Sequence, residues 1–182
     1  NPDERYLGSI KDLEKIMQWR MDEDITRYMN TNPKLTMEGQ KKWLASIRNN
    51  PDVSYWIIMV DGQDAGVINL TGLTDSTGVL GWAYYMGEKK LRSLKTALAL
   101  EMSLYDYIFE VLDKKALISD VFTLNQGVIK LHLLCGCEIL EEKCNHVYKE
   151  GVWYDVTFMR MTRERWMEIR ETKKYEKIMF TE

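Results

Sequence analysis

Apolar and polar positions along this chain follow two periods, and the places where one period gives way to the other mark the elements. Leu13, Ile16, Met17 and Arg20 share one side of a 3.6-residue repeat, which predicts a helix from Lys11 to Met21. Ahead of it, Arg5 to Ile10 is expected to be a short first strand. Thr36 precedes a second helical run through Trp43, Leu44 and Ile47, where a threonine can accept a first-turn N–H. Val53 to Val60 is rich in aromatic and β-branched residues and predicts a strand, as does Ala65 to Leu70. Asp61-Gly62 between them is a hairpin signal, because both turn positions require positive φ. Val79 to Met86 reads as the next strand, Leu94 to Leu112 as a long amphipathic helix, Ala116 to Thr123 as a strand and Asn125 to Leu134 as a short helix. Strands near Cys137–Tyr148 and Val152–Met161 follow, joined at Glu150-Gly151, and a charged helix is expected from Thr162 to Met179.

The strand–helix–strand unit from Val79 to Thr123 makes its two strands parallel, since a crossover joins them. The order predicts an α/β (mixed α+β) sheet with helices on both faces. No repeat, low-complexity tract or linker interrupts the pattern. Residues 1–182 are therefore read as a single domain, with 162–182 a C-terminal helical extension.

Composition narrows the picture. A chain of 182 residues can bury a sizeable core, and 45% apolar with 29% charged residues is the balance of a globular domain, not a disordered one. The longest apolar runs, such as Tyr55 to Val60, are too short to span a bilayer, and no signal-peptide pattern opens the chain. Asn1 in place of methionine is read as a trimmed start. A net charge of −3 argues against nucleic-acid binding, yet allows a local basic pocket for a phosphorylated small molecule. In the C-terminal run Glu164, Glu168, Glu171 and Glu176 offset the basic residues, so that helix is expected to pack on its own domain or on a twin subunit, as in a homodimer. Three cysteines without disulfide-like spacing favour a reducing cytoplasm. Cys135, Cys137, Cys144 and His146, with His132 nearby, carry zinc-ligand atoms. Their C-x-C and C-x-H spacings match no common zinc pattern, so buried thiols and no metal are expected.

Two stretches carry candidate chemistry. Arg92-Ser93-Leu94-Lys95-Thr96-Ala97 stands at the start of the long helix, where free N–H groups and the dipole favour an anion. Cations there run against the dipole, which favours an anionic ligand over a merely solvated helix start. The second stretch is Asn125-Gln126-Gly127-Val128-Ile129-Lys130-Leu131-His132, followed by Gly136. Seven residues apart on a helix, Asn125 and His132 differ in direction by only about 20° and can face one ligand. The same spacing also suits a core histidine packed against the sheet.

The element order and both stretches resemble the GNAT superfamily of N-acetyltransferases. The first is similar to its Q/R-x-x-G-x-G/A loop, with Lys95 where glycine is usual. The second is similar to its N-x-x-[small/apolar]-x-x-L-[Y/H]-x-x-x-G-[F] pattern, with Cys137 in place of phenylalanine. This resemblance implies the GNAT fold, a mostly antiparallel mixed sheet of about seven strands whose fourth and fifth strands splay apart. It implies acetyl-CoA as co-substrate, bound by Tyr84, Tyr85 and Met86, by Arg92, Ser93, Leu94, Lys95, Thr96 and Ala97, and by Asn125 and Lys130. His132 is then the group that protonates the departing thiolate. Asp120 is a candidate base, with Asp75, Glu88 or a water chain as others.

Leu100-Glu101 through Leu104-Tyr105-Asp106-Tyr107 and Phe109, with Val121-Phe122, look like the acetyltransferases of nucleotide-linked amino sugars on the route to pseudaminic acid. That likeness implies a primary amine on a UDP-linked amino sugar as acceptor. Arg20, Tyr28, Met29 and Trp43 would lie on the acceptor side, Arg20 near the diphosphate. Three other readings stay open: a ribosomal-protein-type N-terminal acetyltransferase, a CoA-binding module without turnover, and an interaction domain that docks through its C-terminal helix.

Overall fold

A computed structural model describes residues 2–6 and 10–180, with side chains from Asp12 onward. In chain order the elements are β1 (Pro2–Tyr6), α1 (Ile10–Arg20), α2 (Glu23–Thr26), α3 (Met37–Arg48), β2 (Val53–Val60), β3 (Gln63–Thr71), β4 (Val79–Met86), α4 (Leu94–Asp106), β5 (Ala116–Phe122), α5 (Gln126–Cys135), β6 (Glu138–Lys149), β7 (Val152–Thr162) and α6 (Arg163–Ile169). The strands stand side by side in the order β1-β2-β3-β4-β5-β7-β6. Side chains are described for the six strands β2 to β7. β1 is placed by its antiparallel backbone register, from Pro2↔Val60 to Tyr6↔Trp56. The strand expected at Arg5 to Ile10 thus falls partly on residues 7–9, outside the described ones, and Ile10 already belongs to α1.

β2 shows how the sheet separates two cores. Trp56, Ile58 and Val60 face one side and Ile57 the other, the period-two alternation of a strand buried on both faces. α1 and α3 close the second core through Leu13, Ile16, Trp19 and Leu44. α4, α5 and α6 cover the first through Leu100, Leu104, Ile129 and Trp166. The turns form where the sequence signals them: Asp61 and Gly62 have φ of 50° and 76°, and Thr36 Oγ1 accepts the N–H of Gly39 at 3.1 Å.

One strand pair decides where a ligand can enter. β4 and β5 run parallel and pair only at Val79↔Ala116, Leu80↔Leu117 and Gly81↔Ile118. Beyond Gly81, β4 continues to Met86 against β3 while β5 stays with β7. The two strands therefore diverge and leave an open strand edge from Trp82 onward.

The C-terminal run departs from the expected long helix. α6 stops at Ile169, a single 3₁₀ turn covers Arg170–Thr172, and residues 173–180 are neither helix nor strand. Ile178 donates its N–H to Ser103 Oγ at 2.8 Å, Tyr175 donates its hydroxyl to Asp106, and Phe180 meets Trp56 edge-on at 5.3 Å. Ile178 and Phe180 are both buried, and residues two apart cannot share a helix face, so core contact overrides the helical charge pattern. This segment packs on its own domain. Cys135 and Cys137 are buried, but Cys144 is exposed on the edge strand β6, contrary to the expectation of three buried thiols. The long helix also changes character, finishing as a π turn at Tyr107–Val111. Among the described residues no helix is long and apolar enough to cross a membrane.

Candidate active site

The divergence of β4 and β5 opens a cleft of about 880 Å³. Most residues singled out in the sequence line it: Tyr84, Tyr85 and Met86 on β4; Arg92, Ser93, Leu94, Thr96 and Ala97 at the start of α4; Asp120 on β5; Asn125 and His132 around α5; and Arg20, Tyr28 and Met29 near α2. Three do not. Lys95 is exposed and its Nζ lies 3.6 Å from the Glu176 carboxylate, so the side chain leaves the loop toward the C-terminal segment. Lys130 is exposed, because at 100° per residue it falls off the α5 face that turns Val128, Leu131 and His132 inward. Trp43 meets Tyr55 edge-to-face at 5.2 Å and so backs a cleft residue without lining the cleft itself.

The other proposed bases are occupied elsewhere. Trp19 Nε1 donates to Glu88 Oε1 at 3.0 Å, and its ring lies so close to Gly87 that a Cβ there would come within 2.2 Å. Asp75 is in a turn, accepting from Thr77 N–H and Oγ1 at 2.8 and 2.7 Å; these bonds hold its carboxyl below the usual range. Of the three candidate carboxylates, Asp120 is the one in the cleft.

The start of α4 is built for an anion. Ser93 Oγ accepts the Thr96 N–H at 3.1 Å, which leaves the N–H groups of Leu94 and Lys95 without an acceptor inside the helix. Arg92 donates through Nε and Nη2 to the Met86 carbonyl at 3.1 and 2.8 Å, fixing the turn from β4 and bringing a positive charge to the cleft wall. Asn125 precedes α5 but its side chain does not cap it. An open strand edge, a helix start, a cation and an uncommitted amide together suit the peptide-like arm and phosphates of a CoA thioester.

At the inner end, His132 is 3% exposed yet lines the cleft, so it is both a core residue and a site residue. Its Nδ1 lies 2.5 Å from Glu101 Oε1. The Trp82 ring tilts against it at 5.5 Å, with Trp82 Nε1 donating to Ser119 Oγ at 2.6 Å. Burial, and then the charge of Glu101, raises the Tyr84 phenol above its ordinary range, so it faces the cleft as a neutral hydroxyl. Burial raises Tyr85 too, against the opposing charge of Arg20. Sequence alone assigns no role to Glu101 or Ser119. The signal for Glu101 was visible as a lone acid in the apolar run Ala97 to Leu104.

The α2 end is secured from a distance. Lys149 Nζ donates to the carbonyls of Thr26 and Arg27 at 2.6 and 3.3 Å, and Asn32 Nδ2 donates to Glu150 Oε1 at 2.6 Å. Arg20 lines the cleft here, and its buried Nε has no hydrogen-bond partner among the described residues.

Comparison with known proteins agrees with this geometry. No curated protein matches the sequence. The structure of spermidine N-acetyltransferase from Vibrio cholerae in complex with CoA and spermine is similar with a TM-score of 0.84 at 15% identity, covering 91% of this chain and 98% of that one. Aminoglycoside acetyltransferase AAC(6')-Ib in complex with coenzyme A is similar with a TM-score of 0.74 at 17% identity, covering 93% and 99%. At such identities the likeness is one of fold, and both names point to acceptors other than nucleotide-linked sugars. The model of the acetyltransferase (GNAT) domain family matches residues 5–138, a span that holds both candidate motifs and the splayed strands. This chain belongs to that family, as an acyltransferase whose co-substrate is acetyl-CoA.

Proposed function

We propose that this enzyme acetylates the primary amine of a small acceptor that also carries negative charge, as a UDP-linked amino sugar does. Arg20 carries this reading. An unsatisfied buried donor costs about 1–3 kcal/mol, so a guanidinium Nε with no hydrogen-bond partner among the described residues, on the wall of the cleft, favours a ligand that brings an anion to it. A polyamine would add positive charge at that point. Asn69, Tyr55 and Tyr28, which also line the cleft, supply neutral hydrogen-bonding groups of the kind sugar hydroxyls use.

In this reading the amine nitrogen attacks the thioester carbon, the C–S bond breaks and the sulfur takes a proton. Backbone N–H groups on the open edge of β4, at Tyr84 to Met86, stabilise the negative charge that develops on the carbonyl oxygen. His132 Nε2 gives the proton to sulfur, and Asp120 takes the proton that nitrogen loses, directly or through water. Arg92 and the start of α4 hold the phosphates.

The test is release of CoA with a panel of UDP-linked amino sugars, spermidine, an aminoglycoside and short peptides with free N-termini. Anionic amines are expected to be turned over best. Arg20→Ala should raise their KM by about tenfold, the loss of one charge-assisted hydrogen bond, with little change for acetyl-CoA. Faster turnover of spermidine or of the peptides overturns the proposal, as does tight acetyl-CoA binding without transfer to any amine.

A further inference from the structure

Behind His132 lies a polar cluster that the reaction as described so far does not use. Glu101 is wholly buried on α4, in a stretch where every residue from Ala99 to Asp106 is buried. Its Oε1 stands 2.5 Å from His132 Nδ1, and its Oε2 accepts the hydroxyl of Tyr105. That hydroxyl lies 2.9 Å from Cys137 Sγ, and the Cys135 thiol is buried close enough to feel the charge of Glu101. Among the described residues, His132 is the one group that pairs in charge with Glu101.

We infer that Glu101 is a positioning residue for acetyl transfer: as a carboxylate it accepts the Nδ1–H of His132, fixes the ring, and leaves Nε2 to deliver a proton to the departing sulfur. The inference rests on His132 as proton donor, proposed above, and not on the identity of the acceptor.

The physical case is one of compensation. A buried carboxylate with no countercharge is strongly disfavoured. An imidazolium at His132, 2.5 Å away, supplies that countercharge while its Nδ1–H satisfies Oε1. When Nε2 passes its proton on, an N–H bond breaks, an S–H bond forms, and the ring keeps Nδ1–H on Glu101. The proton lost by the acceptor nitrogen through Asp120 and solvent restores Nε2, so each cycle balances. The remaining neighbours act as neutral donors. Burial and the Glu101 charge raise the Tyr105 phenol and both thiols, Cys137 to about 12, so all three stay protonated around the carboxylate. Tyr84 and Trp82 complete the surroundings of the ring without adding charge.

The decisive measurement is the ¹⁵N spectrum of histidine-labelled wild-type enzyme, recorded without acceptor. The chain has two histidines, so His132→Ala assigns the signals. His132 is expected to carry a hydrogen-bonded proton on Nδ1, either as the imidazolium or as the Nδ1–H tautomer. A bare Nδ1 with the proton on Nε2 would make Glu101 the protonated partner and overturn the inference. The companion variant is Glu101→Gln, matched in size. Its amide either keeps oxygen on Nδ1 and loses the countercharge, or turns its NH₂ to Nδ1 and forces the other tautomer. With whichever amine the wild type acetylates, its kcat should fall about 10²-fold, within the usual range for a general acid, while the Kd for acetyl-CoA stays close to wild type. Wild-type kcat per folded molecule, with only Tm lowered, would make Glu101 a purely structural residue and end the inference. If the variant does not fold, the wild-type spectrum still decides. Failure of the nucleotide-sugar reading would leave that spectrum unchanged.

Discussion

The two ends of the cleft are made in different ways. At the co-substrate end the lining groups sit on regular structure: the open edge of β4, the Ser93-capped start of α4, and one face of α5. At the proposed acceptor end Arg20, Tyr55 and Asn69 stand on α1, β2 and β3, but Ile25, Tyr28 and Met29 come from the four-residue α2 and the irregular chain after it. That end is held by side chains from far along the sequence, Lys149 on the Thr26 and Arg27 carbonyls and Asn32 on Glu150. The contrast separates two requirements. In the proposed reaction, groups that handle the thioester are fixed by sheet and helix geometry, whereas acceptor choice rests in part on a segment that can change without disturbing the sheet.

The comparison can be broken at several points. The largest effect belongs to the rigid end: His132→Ala should lower kcat by about 10²- to 10⁴-fold with acetyl-CoA affinity nearly intact. Because the change also strands the buried Glu101, turnover must be measured per folded molecule. A folded variant with wild-type turnover would remove His132 from the chemistry while leaving the family assignment in place. A crossed pair comes next. Arg92→Ala should raise the KM for acetyl-CoA by about tenfold, more at low salt where screening is weakest. Lys149→Met should raise the acceptor KM by roughly fivefold and leave acetyl-CoA alone, since it cuts the tie to α2 without touching β4 or α4. If either variant moves both constants together, the two ends are not independent. The smallest effect is on the thiols. At pH 8, iodoacetamide followed by mass spectrometry should label exposed Cys144 without loss of turnover. Cys135 and Cys137 should stay unmodified, because burial keeps both protonated and out of reach. Labelling of Cys137 in folded enzyme would show that the seam between α4 and α5 opens.

The same division marks what the sequence reveals. Asp61-Gly62 and Glu150-Gly151 announce their hairpins because both residues of each turn adopt positive φ, 50° and 76° in one, 49° and 81° in the other. α5 is legible from its period; His132 on it and Asn125 just before it both line the cleft, although Asn125 is not helical, with φ −82° and ψ 65°. α2 is too short to show a period. The helical charge pattern after Ile169 misleads, since Ile178 and Phe180 are claimed by a core that also holds residues of β2 and α4, far away in sequence. Lys95 and Lys130 sit within motifs that resemble the family's, yet their side chains obey helix geometry and turn outward. Glu101 stands out as an acid in an apolar run, but its partner is known only once α4 and α5 pack together. Trp43 illustrates the converse, a residue one layer behind the cleft wall that no one-dimensional pattern distinguishes from the wall itself.

The segment from Lys173 to Phe180 bears on the order in which the molecule assembles. Asp106 and Ser103 are buried in α4, and both hold partners that lie near the end of the described chain, Tyr175 for one and the Ile178 amide for the other. Phe180 also seats against Trp56 and Tyr107. Contacts of such long sequence separation carry a high loop-closure cost and form late. Until residues 173–180 close over α4, Ser103 Oγ and one Asp106 oxygen lack these partners, although Trp166 Nε1 donates to the other Asp106 oxygen at 2.9 Å. Closure of the core thus waits for residues 173–180, and an enzyme clipped before Tyr175 should refold slowly and aggregate from an exposed apolar face.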